Sequence, residues 1–284
     1  FGSNWPKTCS PCRLCCVPRL SQKMCNLFKV DVEWPNQVST STVMSQFAYV
    51  IFLGMVTSLF VAMQILHLIE FIPTFGGFYF IYLTNWTLLL ETMTLVMLFA
   101  STFWGYLTPP DEQKSAPLFV KYTMSFWYII QPMSLIVTIL YWTTVNEFWD
   151  PYPIVFASYW AHLLNWMVLI VLLLVSRLPF SLKNGIWPLI YTFIYMLWTI
   201  IHYFLEIGRG VPCDDYFSDN ECPIYNAFDW NEPALALVYL AGAFVALVVV
   251  LLYYVGLVRC RDRFGVRTAA RPTATDVEKA DGGE

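Results

Sequence analysis

Long apolar runs separated by short polar segments form the dominant pattern along this chain. Prolines and glycines cluster between the runs rather than within them. A helix needs about 20 apolar residues to cross the hydrocarbon of a bilayer, and a lone strand there would leave its backbone polar groups unpaired. The pattern therefore predicts an all-α polytopic membrane protein with six transmembrane helices, near residues 45–69, 78–106, 124–145, 154–176, 186–205 and 234–257.

The segments that flank this transmembrane domain, residues 45–257, have a different composition. Residues 1–44 are mostly polar and contain a group of cysteines, and residues 258–284 are first basic and then rich in Ala, Thr, Asp, Glu and Gly. Such a composition provides too little apolar surface for a packed core. We expect two tails outside the membrane, of which the C-terminal one ends in a disordered stretch.

The basic residues indicate the orientation of the bundle. Every Lys and Arg except Arg209 lies in the two tails or in the second and fourth loops. Basic residues favour the cytoplasmic side, so both termini are predicted to be cytoplasmic, and the acidic fifth loop is predicted to face outward. We expect an integral protein of the plasma membrane or the endoplasmic reticulum.

The amino-acid composition also indicates a membrane protein, and it argues against a soluble or a nucleic-acid-binding protein. Hydrophobic residues make up 58% of the chain and charged residues 13%, which leaves too little polar surface to cover a soluble protein of this size. The basic residues form no face interleaved with aromatic side chains, so we expect no nucleic-acid partner. Membrane lipids are the expected partners, and no cofactor is indicated.

Ionisable and amide side chains inside a span are costly unless they face the bundle interior, so each is a candidate functional residue. With the predicted orientation, all three histidines of the chain fall in the outer half of the membrane together with a threonine and an asparagine. Because these side chains lie at similar depths, we predict that they line a polar pocket in the outer half of the membrane. The alternative is that each polar group only ties helices together by hydrogen bonds. The candidates are His67, Thr84, Asn85, Glu91, His162, Asn165 and His202.

Several kinds of chemistry fit this set. Thr84 beside a histidine would suit nucleophilic acyl transfer, with His162 or His202 as the base and Asn165 orienting the base or binding an oxyanion. A threonine in a membrane helix more often bonds back to its own helix. Three histidines at one level also suit zinc, but no two of them share a helix at ligand spacing, so we predict no metal site.

Glu91 lies deeper than the other candidates, on about the same face of the second span as Thr84. It is a candidate proton relay or coupling-ion site, and the alternative is a neutral acid bonded to a neighbouring helix. A transporter with Glu91 in its pathway is a less favoured hypothesis, because no span is interrupted by Pro or Gly at mid-membrane.

Cysteines occur on both sides of the predicted membrane. Cys9, Cys12, Cys15 and Cys16 are expected to be reduced in the cytoplasm, and acylation is favoured there over a zinc knuckle. Cys213 and Cys222 flank an acidic segment of the exterior loop. The compartment outside is oxidising, so this pair is predicted to form a disulfide.

Four stretches resemble the rolling stone-like proteins, a family similar at a distance to the androgen-induced six-span lipid hydrolases. They are FYFIYLTNWTLLLE at 78–91, LYWTTV at 140–145, SYWAHLLNWMVLIVLLLVSRLP at 158–179 and CPIYNAFDWNEPALA at 222–236. Together they reach from the second span to the sixth, so the resemblance covers most of the chain except the tails.

The resemblance implies two different functions. In the androgen-induced hydrolases a threonine and a histidine cleave fatty-acid esters of hydroxy fatty acids, and the threonine matches Thr84. Their Asn-His-x-x-His stretch places its first histidine at His162, but the catalytic second position is Asn165 in this chain. Asparagine cannot act as a general base, so hydrolysis would require His162 or His202.

Rolling stone-like members, the closer branch, are linked to fusion of myoblasts without an established chemistry. The first hypothesis is therefore a non-enzymatic or weakly enzymatic membrane protein. The alternative is a threonine-dependent hydrolase with a fatty-acid ester as ligand.

Overall fold

Six helices form the bundle in a computed structural model, which describes residues 37–108, 116–145, 156–208 and 223–264 together with Val30 and Trp34. Within these ranges six helices are long and apolar enough to cross a membrane, and none of the residues forms a named strand. The predicted all-α six-span class is confirmed. The protein is a multi-pass membrane protein.

The helices are α1 (Gln46–Phe75), α2 (Leu83–Leu107), α3 (Leu118–Leu140), α4 (Phe156–Val175), α5 (Ile186–Phe204) and α6 (Pro233–Phe264). Short helical turns extend several of them. A π-helical turn, Tyr141–Val145, continues α3, and the 3₁₀ turn Leu182–Gly185 precedes α5.

The outer ends of α1 and α2 differ from the predicted boundaries. Helix α1 continues to Phe75 and includes Pro73, and the 3₁₀ turn Gly76–Ile81 follows before α2 begins at Leu83. Prolines near a helix end remove few backbone hydrogen bonds, so Pro73 does not stop α1. His67 therefore lies about two turns inside α1, whereas Thr84 lies in the first turn of α2. Tyr79 lies between these two regions, since its ring meets His67 and its carbonyl accepts from Asn85.

Helix α3 is at the centre of the bundle. It packs against α2, α4, α5 and α6, and 78% of its most apolar window is buried, against 22% for α6. Trp127 and Ile130 of α3 are fully enclosed. The outward faces of the other helices carry large apolar side chains, as contact with lipid requires.

A π-helical turn, Trp160–Leu164, interrupts α4 in its outer half. The backbone N–H of Asn165 bonds to the carbonyl of Trp160, five residues back, and the His162 carbonyl accepts instead from the Trp142 indole at 3.1 Å. Such turns are frequent at functional sites, and they change which face of the helix the following side chains occupy. This one comes immediately before Asn165.

The end of α4 near Val175 is closed by contacts from two other segments. The Ser41 hydroxyl donates to Val175 O at 2.7 Å, and Arg261 Nη1 donates to the carbonyls of Leu173, Ser176 and Leu178 at 2.9 to 3.0 Å. The last carbonyls of a helix have no partners within it, so these donors satisfy groups that would otherwise be orphaned. Arg261 is buried although it lies in the basic end of α6.

The orientation of the bundle is testable with a native thiol. Cys260 is free and exposed at the basic end of α6, and Glu232 is exposed just before the other end. In cells permeabilised only at the plasma membrane, an impermeant maleimide should modify Cys260, because positive residues favour the cytoplasm. A Glu232→Cys thiol should react only from the opposite side of the membrane. Modification of both positions from one side would contradict the predicted topology.

Candidate functional site

A carboxyl–amide pair lies in the interior of the bundle. Glu91 of α2 is completely buried, and Asn165 of α4 is 1% exposed. Asn165 Nδ2 donates to both carboxyl oxygens of Glu91, at 3.0 Å and 3.2 Å. The π-helical turn before Asn165 and the position of Glu91 about two turns into α2 together direct the two side chains toward each other.

Tyrosines from two other helices approach this pair. Tyr191 of α5 and Tyr254 of α6 are both close enough to Glu91 to interact with it electrostatically. The Thr87 hydroxyl donates to Leu83 O at 2.9 Å and lies 3.2 Å from the Tyr191 hydroxyl. Since the Thr87 hydrogen is already used, Tyr191 donates to Thr87. We call Glu91, Asn165, Thr87, Tyr191 and Tyr254 the Glu91 cluster.

Two amide oxygens in this region have no hydrogen-bond donor. Asn165 Oδ1 and Gln131 Oε1 are both buried without a partner, and Gln131 Nε2 is 3.5 Å from Leu169 O, one turn beyond Asn165. A buried acceptor without a donor is costly, so each such atom in a native protein requires an explanation. This region therefore contains more buried hydrogen-bond acceptors than there are hydrogen-bond donors to pair with them.

Thr84 lies in a different group, at the start of α2. The Tyr225 hydroxyl accepts from Leu83 N at 3.1 Å, which supplies an acceptor for a free N–H of the first helical turn. The side chains of Thr84 and Tyr195 lie beside the same hydroxyl. Burial raises the pKa of Tyr225 above its ordinary value, and its hydroxyl therefore stays neutral.

His67 and His162 form a second interior group, between α1 and α4. The His162 ring stacks on Tyr141 with centroids 3.5 Å apart, and the His67 ring meets Tyr79 edge-on at 5.6 Å. The two histidines are close enough to interact electrostatically, and Nδ1 of each is buried without a hydrogen-bond partner. Gln64 Nε2 donates to the Tyr79 hydroxyl at 3.0 Å. Burial also raises the pKa of Tyr79, with the Gln64 bond opposing that rise.

His202 and Asn85 have structural partners. His202 Nε2 donates to Gly208 O at 2.6 Å, which fixes the turn that follows α5. Asn85 Nδ2 donates to Tyr79 O at 2.7 Å and holds the 3₁₀ turn against α2. The Asn85 side chain is buried, although Asn85-Trp86-Thr87 has the sequence of an N-glycosylation sequon.

The predicted site residues therefore divide into separate groups. Asn165 contacts Glu91, and Thr84 contacts Tyr225. His67 lies near His162, and His202 lies at the end of α5. The catalytic assignments of Thr84, His162, Asn165 and His202 remain predictions. In the described part of the chain, no group of three or more His, Cys, Asp or Glu side chains is arranged to hold a metal ion. The cysteine predictions, for Cys9, Cys12, Cys15, Cys16, Cys213 and Cys222, concern residues outside the described ranges.

A groove of about 470 Å³ lies on the surface of α1 beside α2. Its lining is mostly apolar and includes none of the candidate catalytic side chains; it consists of Gly54, Thr57, Ser58, Val61, Ala62, Ile65 and Phe99. This groove is therefore not the polar pocket predicted around Thr84.

No tyrosine was among the predicted residues, although several tyrosines contribute to the site. Tyr191, Tyr225 and Tyr141 contact Thr87, Leu83 and His162 respectively. Tyrosine is common near membrane interfaces, so its presence in these spans gave no signal. The available indications were the positions of Tyr141 in LYWTTV and of Tyr225 in CPIYNAFDWNEPALA, two stretches that resemble the rolling stone-like proteins.

Comparisons with known proteins add no assignment, because no family model, curated protein or solved structure matches the chain.

Proposed function

We propose that the chain is a membrane protein of rolling stone-like type that acts at the membrane or cell surface without hydrolytic chemistry. The resemblance in the second, fourth and sixth spans supports the family. The geometry around Asn165 supports the absence of hydrolysis.

The observation that carries this proposal is the bond between Asn165 and Glu91. Asn165 is at the position where the resembling hydrolases have their catalytic histidine. Its amide nitrogen is 3.0 Å from a Glu91 oxygen, so the side chain connects α4 to α2. Asparagine has no basic nitrogen with which to accept a hydroxyl proton. This position therefore performs a structural task.

Thr84 provides a second line of support. The contacts of its side chain are with Tyr225, whose hydroxyl is itself used by Leu83 N. A nucleophilic hydroxyl needs a base within hydrogen-bond reach, and a neutral phenol is not a base at physiological pH. The two histidines that were candidates for the base have other contacts. His162 stacks on Tyr141, and His202 bonds to Gly208 O.

Threonine-dependent hydrolysis of fatty-acid esters is the alternative function. The feature that favours it is the unpartnered Nδ1 of His162, a ring nitrogen that is free to accept a proton. For this function a movement at the outer end of α2 would have to bring Thr84 to that nitrogen.

A fluorophosphonate probe distinguishes the two functions. The purified protein should give no adduct at Thr84 by peptide mass spectrometry and no turnover of a hydroxy-fatty-acid ester, because the contacts of Thr84 provide no base. Thr108→Ala serves as a control for Thr84→Ala, since Thr108 only bonds back to Trp104 O. An adduct at Thr84, with turnover lost in Thr84→Ala and retained in Thr108→Ala, would establish the hydrolase.

A further inference from the structure

Glu91 lacks any counter-ion in the described part of the chain. It is 0% exposed, and its hydrogen bonds come from one neutral amide, that of Asn165. The ionisable side chains that face it are neutral phenols, Tyr191 from α5 and Tyr254 from α6. Helix α3 contributes Gln131 and Ser134 to this interior, and neither side chain titrates.

The histidines of α1 and α4 are directed elsewhere. His162 precedes Asn165 by about one turn and stacks on Tyr141, and His67 packs against Tyr79 and Phe71. Neither histidine shares a hydrogen bond with Glu91. An ionised carboxylate in this position would be a charge in the membrane interior without compensation, which costs several kcal/mol.

The orphaned oxygen of Asn165 indicates how the charge is avoided. Asn165 Nδ2 already donates to Glu91, while Asn165 Oδ1 is buried with no donor. A carboxylic acid has one O–H donor and one carbonyl acceptor, and a primary amide offers the complementary pair. Asn165 Nδ2 lies between the two carboxyl oxygens, at 3.0 and 3.2 Å, so the amide has to turn for the cyclic pair to form. After that turn, the O–H of a protonated Glu91 donates to Asn165 Oδ1, and Nδ2 donates to the other carboxyl oxygen. That single proton removes both the charge and the orphaned acceptor.

We propose that Glu91 is a proton-binding site inside the membrane, paired with the Asn165 amide and reached from the outer face along a row of hydroxyl groups. The row consists of Thr87, Tyr191, Tyr195 and Tyr225. The Tyr191 hydroxyl is 3.2 Å from Thr87, which lies one turn before Glu91 on α2, and Tyr191 and Tyr195 both interact with Tyr225 beside Leu83. The Tyr195 hydroxyl donates to Ile81 O at 2.8 Å, so transfer along the row requires hydroxyl groups to rotate.

Release of the proton from Glu91 conserves atoms and charge. The O–H bond of the Glu91 acid breaks, its electron pair stays on the carboxylate, and the proton passes by hydroxyl exchange to water at the outer face. The carboxylate that remains keeps only the Asn165 Nδ2 donor, which weakens the contact between α2 and α4. The site therefore couples proton binding to the packing of these two helices. This inference does not rest on the proposed family or on the absence of hydrolysis.

Infrared spectroscopy of the purified protein in lipid tests the proposal directly. At neutral pH, where exposed carboxyls are ionised, a carbonyl band of a protonated carboxylic acid should be present. The band should be lost in Glu91→Gln and retained in the matched control Glu70→Gln, whose side chain is exposed. Carbon-13 glutamate should shift the band in the unaltered chain, which assigns the band to glutamate even if Glu91→Gln fails to fold. Among the described glutamates only Glu91 is buried.

The route of the proton is tested by exchange into deuterated water. The Glu91 band should shift as deuterium replaces hydrogen, and Tyr191→Phe should slow this shift while the exposed control Tyr239→Phe leaves it unchanged. Equal rates in Tyr191→Phe and the unaltered chain would overturn the hydroxyl route.

Absence of a glutamate acid band at neutral pH would overturn the proton site. A sodium-dependent rise in stability accompanying that absence would instead identify a cation as the ligand.

Discussion

Arg261→Ala is expected to lower the free energy of unfolding by about 3 kcal/mol, because it removes one donor group from three buried carbonyls. The Arg261 side chain is 4% exposed, and its Nη1 atom bonds to Leu173, Ser176 and Leu178 at the end of α4. One of the three, Leu173 O, has a further donor at the helix end, the Ser176 hydroxyl at 3.3 Å. The neighbouring Asp262 pairs with the guanidinium at 2.8 Å but is largely exposed, so that ion pair contributes little.

The measurement is the midpoint of denaturation by dodecyl sulfate for the purified protein in mixed micelles. Arg263→Ala, on the exposed side of the same helix end, is the control and should change stability by less than about 0.5 kcal/mol. Arg261→Lys should recover only part of the loss, since an ammonium group cannot reproduce the planar set of guanidinium donors. Equal effects of Arg261→Ala and Arg263→Ala would show that the three carbonyls are satisfied in another way.

The six-helix class was predictable because it depends on properties that are local along the chain. Apolar length sets the number of spans, and the run that became α6 had the highest mean hydropathy of the six, at 2.9. The boundaries were less predictable. Gly76, at a φ of 54°, and the 3₁₀ turn after it interrupt what the apolar pattern presents as the start of the second span.

The grouping of the polar residues was only partly predictable. Glu91 was expected to point inward, and it does. Its partner Asn165 was assigned to a shared pocket with Thr84 on the basis of estimated depth. The π-helical turn Trp160–Leu164 rotates the following part of α4, and no residue type in WAHLL indicates such a turn. Asn165 bonds to Glu91, which follows Thr84 by seven residues on α2, or about two turns, so the two predicted partners are separated along this helix.

The pair Glu91 and Asn165 is expected to be energetically coupled in a double-mutant cycle. Asn165→Leu removes the donor to a buried carboxyl group and should cost on the order of 2 kcal/mol. In the double variant Glu91→Leu/Asn165→Leu both polar groups are replaced by apolar ones of similar size. Neither member of the pair is then left as a buried polar group without its partner, so the double variant should lose less stability than the sum of the single variants.

The coupling free energy should lie between about 0.5 and 3 kcal/mol, the range for side chains in direct contact. The matched control combines Asn165→Leu with Thr57→Val, because the Thr57 hydroxyl bonds Leu95 O and shares no partner with Asn165. The losses of stability caused by Asn165→Leu and Thr57→Val should be additive. Additivity of the Glu91 and Asn165 changes as well would mean that their 3.0 Å contact does not stabilise the packing of α2 on α4. The structural basis of both the non-hydrolytic function and the proton site would then be lost together.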